Sequence, residues 1–149
     1  RQVLDISIQI CGMLEQAHAK GAIYLDHKLL HYYWNEYRQK VIMLDWNIGH
    51  WLPETFSPEV QQADLVQFSS RALHHIFTGR QAPGSVAVGP NRPEDIANSP
   101  TRYKASYSFD IQNRLNAEEL GFLESALDGS FQTPTEMKDK LQYLINKRH

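Results

Sequence analysis

The sequence predicts a mainly α-helical domain that carries one small β-hairpin. Two apolar patterns recur at helical spacing, over residues 2–19 and residues 63–77. Two runs rich in β-branched and aromatic side chains, residues 29–34 and 40–44, flank a polar turn and predict a hairpin. Two further helical patterns follow in the last third of the chain. Helices are therefore expected to form most of the fold.

The first helix is expected to end at Gly21, which suits a left-handed cap. Residues 22–25 are apolar and long enough for one small strand or a buried connection. The hairpin follows, with its turn in the polar residues from 35 to 40. Residues 46–60 are predicted to be irregular, because Gly49, Pro53 and Pro58 interrupt them.

The second strong helix, over residues 63–77, is expected to end at Thr78-Gly79-Arg80. A long loop rich in Gly and Pro is predicted over residues 81–99, with a helical turn at residues 93–97. Alternating aromatic residues predict extended chain over residues 106–110. The next helix, residues 116–127, starts with an Asn116 cap and Glu119 three residues later, a capping-box pattern. The last, residues 135–145, is predicted to begin with Thr135 as its cap.

Composition indicates one ordinary globular domain over residues 1–149, because 42% of the residues are hydrophobic and 21% are charged. The net charge of -2 gives no field that would gather nucleic acid or a membrane surface. No apolar run approaches the roughly 18 residues of a membrane span. The lone Cys11 has no partner for a disulfide, which favours a reducing, cytoplasmic compartment. The first residue is Arg1, so the chain is expected to belong to a longer protein.

One stretch of the sequence carries chemistry. After the first helix and its glycine, a short strand leads to Asp26, and Lys28 follows two residues later. The hairpin then delivers a second carboxylate, Asp45. Phosphoryl transfer needs such a set: one carboxylate to accept the proton of the attacking hydroxyl, a lysine to neutralise phosphoryl charge, and a second carboxylate to hold Mg²⁺.

This ordered set resembles the eukaryotic-like protein kinases. Tyr24-Leu25-Asp26 stands where that family has its catalytic loop, and Asp45-Trp46-Asn47 stands where it has Asp-Phe-Gly. The resemblance implies that Asp26 is the catalytic base, Lys28 its phosphate partner and Asp45 the metal ligand. It also implies ATP and Mg²⁺ as cofactors. Tyr33 would lie near the floor of the adenine site, and His31 falls where the family has an asparagine for a second Mg²⁺.

The resemblance extends over the C-terminal lobe of a kinase only. Ser57-Pro58-Glu59 resembles the element that closes the activation segment, although Leu52-Pro53-Glu54 competes for that role. Residues 63–80 resemble the central helix with one extra residue, and residues 120–144 resemble the final helix pair. The Gly-rich loop and strand lysine belong to the missing N-lobe, so this lobe alone is expected to be inactive. It should also expose an apolar patch where that lobe docks.

Three functions remain open at the level of sequence. The first is the C-lobe of a Ser/Thr-type protein kinase that acts on a protein substrate. The second is a pseudokinase that binds a partner protein, favoured by His31 at the asparagine position and by Leu25 where the family has an arginine. The third is a fragment of a small-molecule kinase of the aminoglycoside or choline type, which also follows its Asp loop with Ile-Asp-Trp.

Overall fold

Helices form most of the fold, and two short antiparallel strand pairs lie in its first half. The computed structural model describes residues 1–46, 49–54, 56–85 and 102–148. The helices are α1 (Gln2–His18), α2 (Pro58–Phe68), α3 (His74–Thr78), α4 (Phe109–Arg114), α5 (Ala117–Leu127) and α6 (Pro134–Lys147). The strands are β1 (Ala22–Ile23), β2 (Tyr32–Asn35), β3 (Lys40–Met43) and β4 (His50–Trp51). The predicted class, mainly helical with a small hairpin, is confirmed.

Helix α1 is amphipathic and packs its apolar face into the core, against α6. The buried side chains on this face include Leu4, Ile10, Cys11 and Leu14. Burial raises the pKa of the Cys11 thiol, so it stays protonated and acts as a small apolar side chain. Outside the core, Glu15 accepts a hydrogen bond from Thr135 Oγ1 at 2.6 Å and pairs with Lys138. These contacts fix the first and last helices side by side.

The turn after α1 requires glycine at position 21. Gly21 has a φ of 72°, and a Cβ atom there would lie 2.9 Å from the Cα of Pro53. Gly79, which ends α3, also has a positive φ, 81°, but a Cβ atom there would meet nothing within 4 Å. The two glycines therefore share a backbone conformation and differ in the space around them.

Gly21→Ala is expected to destabilise the fold more than Gly79→Ala does. Both changes force an L-residue into the left-handed region, at roughly 1–2 kcal/mol. Only Gly21→Ala adds a collision with backbone, which costs a further ~1–3 kcal/mol by analogy with overpacked cores. Urea titration of the two variants measures the difference, and equal losses of unfolding free energy would contradict this packing.

The predicted hairpin is confirmed as β2 and β3. Its register pairs Tyr32 with Met43, Tyr33 with Ile42, Trp34 with Val41 and Asn35 with Lys40. Val41 and Met43 are buried, and the backbone N–H of Val41 donates to Gln9 Oε1 on α1 at 3.0 Å. The hairpin is shorter than predicted, because Leu29–His31 forms a 3₁₀ turn in place of extended chain.

The prediction of irregular structure over residues 46–60 is wrong in two places. Strand β4 pairs with β1, placing Trp51 opposite Ala22 and His50 opposite Ile23. Helix α2 begins at Pro58, where Ser57 caps it by accepting a hydrogen bond from the N–H of Val60 at 3.4 Å. Proline suits the first turn of a helix, so Pro58 starts a helix here and does not break one.

The central helical run continues from Pro58 to Thr78 without interruption. Its middle segment, Ser69–Leu73, has π-helical hydrogen bonding, and Gly79 ends the run in the left-handed conformation. A π turn holds about one residue more than an α turn. The π segment therefore places about one residue more in the interior of this helical run than a continuous α-helix would.

The predicted start of the helix at 116–127 is confirmed. Asn116 accepts a hydrogen bond from the N–H of Glu119 at 2.9 Å, and Glu119 accepts one from the N–H of Asn116 at 3.1 Å. The predicted cap of the last helix is wrong, since Thr133 caps α6 by accepting from the N–H of Glu136 at 3.2 Å, with Pro134 in the first turn.

Extended chain at the end of residues 106–110 is also a wrong prediction. Ser108 caps α4, which begins at Phe109, so residues 109 and 110 are helical. The helical turn predicted at residues 93–97 lies outside the described residues. Among the described helices, none combines the length and the apolar character that crossing a membrane requires.

Candidate active site

Asp26 lies at the end of the buried segment that follows β1. Asp26 as a whole residue is 2% exposed to solvent. The Nζ atom of Lys28 lies 2.8 Å from Asp26 Oδ1 and 3.1 Å from Oδ2, so the ammonium group contacts both carboxylate oxygens. The side chain of Lys28 is 28% exposed, which leaves the cation accessible from the surface. The predicted catalytic pair is therefore adjacent, with the carboxylate buried and the cation facing outward.

Tyr24 and His31 form the floor of this site. Tyr24 Oη lies 2.5 Å from the carbonyl oxygen of Leu44 and 2.9 Å from Nδ1 of His31. Burial is the main cause that raises the pKa of Tyr24, and repulsion from nearby carboxylates adds to it. The phenol therefore stays protonated and donates a hydrogen bond to the carbonyl oxygen of Leu44. Tyr24 Oη then accepts from His31, and Nδ1 must carry the imidazole hydrogen. The same nitrogen lies 2.9 Å from the backbone oxygen of Asp26.

His31 lies between the two predicted carboxylates. Its Nδ1 atom is 3.5 Å from Asp26 Oδ2, and its Nε2 atom is 3.3 Å from Asp45 Oδ2. The side chain of Asp45 is 60% exposed, whereas that of Asp26 is 3% exposed. One carboxylate is thus enclosed by protein and the other open to solvent, with an imidazole joining them.

The backbone is strained at both carboxylates. Leu25, which precedes Asp26, has a φ of 55°, and Asp45 has a φ of 59°. Residues other than glycine rarely adopt this region, and a bulky leucine there costs roughly 1–3 kcal/mol. Such strain persists only where surrounding contacts fix the chain, and it concentrates at functional sites. Here the two strained residues set the directions of the two carboxylates.

Asp64 on α2 supplies the contacts that fix the loop. It is fully buried and accepts hydrogen bonds from the backbone N–H groups of Leu25 at 2.8 Å and Tyr24 at 3.4 Å. Its oxygens also lie 2.8 Å from Nε2 of His27 and 2.6 Å from Nε2 of His18. One carboxylate therefore connects the end of α1, the segment that leads to Asp26 and the central helix.

The same contacts determine the charge of Asp64. Burial by itself would raise the pKa of this carboxyl, but attraction to His27 and hydrogen bonds from His18 and His27 outweigh it. The net effect lowers the pKa well below its usual range, so Asp64 is ionised wherever the protein is folded at ordinary pH. An ionised carboxylate forms stronger hydrogen bonds with these four N–H groups than a neutral carboxylic acid would.

Sequence analysis gave no site role to Asp64, His18, His27 or Tyr24; Asp64 and Tyr24 entered only as positions in the resemblance to kinases. The available signal was weak: Asp64 is an acidic residue next to the apolar positions Leu65 and Val66 in a helical pattern. A buried carboxylate is rare unless it is paired. The partners come from distant parts of the chain, so spacing alone does not reveal them.

Tyr33 lies on the outward face of the hairpin, two positions after His31. It is 57% exposed and stands opposite Ile42, which is 46% exposed. Leu44, the residue that follows this strand, is also 46% exposed. Together Tyr33, Ile42 and Leu44 form the hairpin patch, an apolar surface that leads directly to Asp45. Asn47, the third residue of the second motif, lies outside the described residues.

The ligand set differs from that preferred by Mg²⁺. Asp45 offers carboxylate oxygen, but His31 stands beside it with a ring nitrogen, and Mg²⁺ favours oxygen. No three His, Cys, Asp or Glu side chains converge on a metal position within the described parts of the chain. A metal ion here would draw most of its ligands from phosphate and water, as metals at nucleotide sites commonly do.

Comparisons with known proteins add no family to these observations. The sequence matches no protein-family model, and no curated protein matches it. The candidate site therefore rests on its own geometry, in which Asp26, Lys28, His31 and Asp45 converge while Tyr33 lies on the adjoining patch.

Proposed function

We propose that this chain is the C-terminal lobe of a protein-kinase-type phosphotransferase that acts on Ser or Thr hydroxyls of a protein substrate. The observation that carries the proposal is the arrangement of the two carboxylates: Asp26 is buried against Lys28, and Asp45 is open to solvent. His31 joins them, so they belong to one site. Phosphoryl transfer from ATP requires two such carboxylates, one that accepts the hydroxyl proton and one that holds the metal.

In the proposed reaction the substrate hydroxyl approaches Asp26, which accepts its proton as the oxygen bonds to the γ-phosphorus. The bond from that phosphorus to the bridging oxygen breaks, and ADP leaves. Lys28, whose cation lies beside Asp26 and reaches the surface, neutralises charge on the transferred group. Asp45 would hold a divalent metal ion, which would neutralise charge at the phosphates. Tyr33 offers an exposed ring on which an adenine can stack.

The central helix supports this assignment. The resemblance to kinases required both Asp64 and the Thr-Gly-Arg ending to align, with one residue in excess between them. The π segment at Ser69–Leu73 provides a place for that residue. Asp64 then reaches the backbone of the segment that leads to Asp26.

The hairpin patch supports the need for a second lobe. Tyr33 and Ile42 are exposed and stand opposite each other in the hairpin, and the exposed Leu44 lies next to the proposed metal ligand in the chain. Apolar surface beside a functional site is commonly covered by a partner or a ligand. We propose that the missing N-lobe and the adenine of ATP cover this patch in the complete protein, and that the lobe alone is inactive.

A pseudokinase is the second candidate, and one observation favours it. The imidazole of His31 occupies the space between Asp26 and Asp45, where the kinase family has an asparagine. If the ring excludes the metal, the domain would bind a partner protein and transfer nothing.

Transfer of the γ-phosphate distinguishes the two candidates. The intact gene product, incubated with [γ-³²P]ATP, a divalent metal and a mixture of unfolded and folded proteins, is expected to label Ser or Thr. Tests with Mg²⁺ and Mn²⁺ separately cover both metals. Absence of labelling under every condition, in a preparation that is folded, would count against the active protein kinase and leave the pseudokinase and the small-molecule kinase.

A further inference from the structure

His31 presents an unshared electron pair to the carboxylate of Asp45. Its Nδ1 atom carries the ring hydrogen, because the Tyr24 hydroxyl donates to Leu44 and can only accept from the imidazole. In the neutral ring, Nε2 is therefore an acceptor. It lies 3.3 Å from Asp45 Oδ2, which is also an acceptor. Two acceptors at this distance repel unless a proton on Nε2 or a metal ion lies between them.

The distance fits a shared metal ion. Two ligand atoms, each about 2.1 Å from one metal, are separated by roughly 3.0 Å at a right angle and roughly 3.4 Å at the tetrahedral angle. The observed separation of 3.3 Å between Nε2 of His31 and Oδ2 of Asp45 lies between these values. Both atoms can therefore bind one ion with little movement, and Asp45, at 60% exposure, has freedom to adjust.

The surroundings of His31 are those of a metal ligand. A ligating histidine almost always donates its other ring N–H to a carbonyl or carboxylate, which fixes the tautomer and the ring direction. The Nδ1 atom of His31 has this role toward the backbone oxygen of Asp26, at 2.9 Å. His31 is 9% exposed, so its ring is held in place by the fold.

We infer that His31 and Asp45 bind a first-row transition-metal ion, such as Mn²⁺, in preference to Mg²⁺. The inference rests on the proposed phosphotransferase function, whose ATP supplies the remaining ligands as phosphate oxygens. Imidazole nitrogen suits first-row transition ions, whereas Mg²⁺ prefers oxygen and gives up water reluctantly. Substituting a nitrogen ligand beside one carboxylate therefore changes which ion the site selects.

Metal affinity is the first test. Isothermal titration of the intact gene product with Mn²⁺ or Mg²⁺, at saturating ATP, gives the ratio of the two dissociation constants after subtraction of the ATP–metal titration. The wild type is expected to favour Mn²⁺, and His31→Asn to lower the preference about tenfold or more, the scale of ligand-environment effects on metal affinity. His75→Asn, a histidine of α3 outside the site, is the matched control and should keep the wild-type ratio.

Spectroscopy distinguishes a His31 that binds the metal from a His31 that only lies near it. Electron spin-echo envelope modulation of Mn²⁺ bound with ATP is expected to show a directly coordinated nitrogen in wild type and His75→Asn. Uniform ¹⁵N labelling of the protein should shift that signal, which excludes the adenine as its source. In His31→Asn the protein nitrogen should be lost while Mn²⁺ remains bound through Asp45 and phosphate.

Two results would overturn the inference. If wild type binds Mg²⁺–ATP as well as Mn²⁺–ATP and shows no protein nitrogen at the metal, the preference is absent while the proposed function stands. If His31→Asn gains affinity for both ions, the imidazole excludes metal as a protonated partner of Asp45. Failure of every metal and of ATP to bind the folded wild type would remove the proposed function as well.

Discussion

Asp26→Asn is expected to lower kcat for phosphoryl transfer by about 10²–10⁴-fold, the usual contribution of a positioned general base. The amide has the shape of the carboxylate but cannot accept the hydroxyl proton. Asp26 is 2% exposed and contacts Lys28 through both oxygens, so the substitution changes charge within a preformed site. Nucleotide binding should persist, because the proposed metal ligand, Asp45, is unchanged. Transfer from [γ-³²P]ATP by the intact gene product measures the rate.

Asp110→Asn is the matched control for this loss. Asp110 is an exposed carboxylate in the first turn of α4, and the same chemical change there should leave kcat within about twofold of wild type. A rate for Asp26→Asn close to that of Asp110→Asn would show that the buried carboxylate is structural. A kcat loss with retained ATP binding would identify its role in the chemical step.

Asp64→Ala is expected to lower the free energy of unfolding by about 3–5 kcal/mol, the cost of removing one member of a buried ionic network. The substitution leaves the N–H groups of Tyr24 and Leu25 and the rings of His18 and His27 without their acceptor. Asp139→Ala, at an exposed position on α6, should cost less than about 0.5 kcal/mol. Urea unfolding followed by circular dichroism compares the variants. Equal losses would contradict the anchoring role.

Acid titration of the same variants tests the charge of Asp64. Its folded-state pKa is lowered below the unfolded value of about 3.9, so the unfolded chain binds more protons in the acid range. The contribution of Asp64 to stability is therefore complete above about pH 5 and declines as the pH falls below that. Asp64→Ala should flatten the dependence of unfolding free energy on pH in this window. Asp139→Ala should retain it.

Sequence patterns predicted those parts of the fold that depend on local signals. Helix α1, the hairpin and the capping box at Asn116 each follow from residues within a few positions of one another. The starts of α2 and α6 were both misplaced. In both, a hydroxyl residue followed by proline, Ser57-Pro58 and Thr133-Pro134, is the cap and first turn. Pro58 was counted as an interruption, although the missing N–H of proline is unneeded in the first turn of a helix, and Thr135 was taken as the cap of α6 in place of Thr133.

The residues of the candidate site also differ in whether the sequence predicted them. Asp26, Lys28 and Asp45 were named from their order along the chain and His31 from the resemblance to kinases, and the fold brings the four together. The supporting residues were not named, because their contacts join remote segments: Asp64 meets His27 across 37 positions and His18 across 46. The tautomer of His31 depends on the hydroxyl of Tyr24, and no sequence pattern encodes a hydrogen-bond direction. Strand β4 is only two residues long, so the alternation of apolar and polar residues that marks a strand cannot be recognised in its sequence.

Thermal-shift titration with ATP tests the central claim, that this chain is a nucleotide-dependent phosphotransferase lobe, most directly. For the intact gene product with Mg²⁺ or Mn²⁺, ATP at a hundredfold excess over Kd should stabilise the fold by about 2.7 kcal/mol. The stabilisation should require the metal and should be lost in Asp45→Asn, while Asp139→Ala keeps it. The absence of any shift at millimolar ATP with either metal, in a folded wild-type protein, would contradict the account.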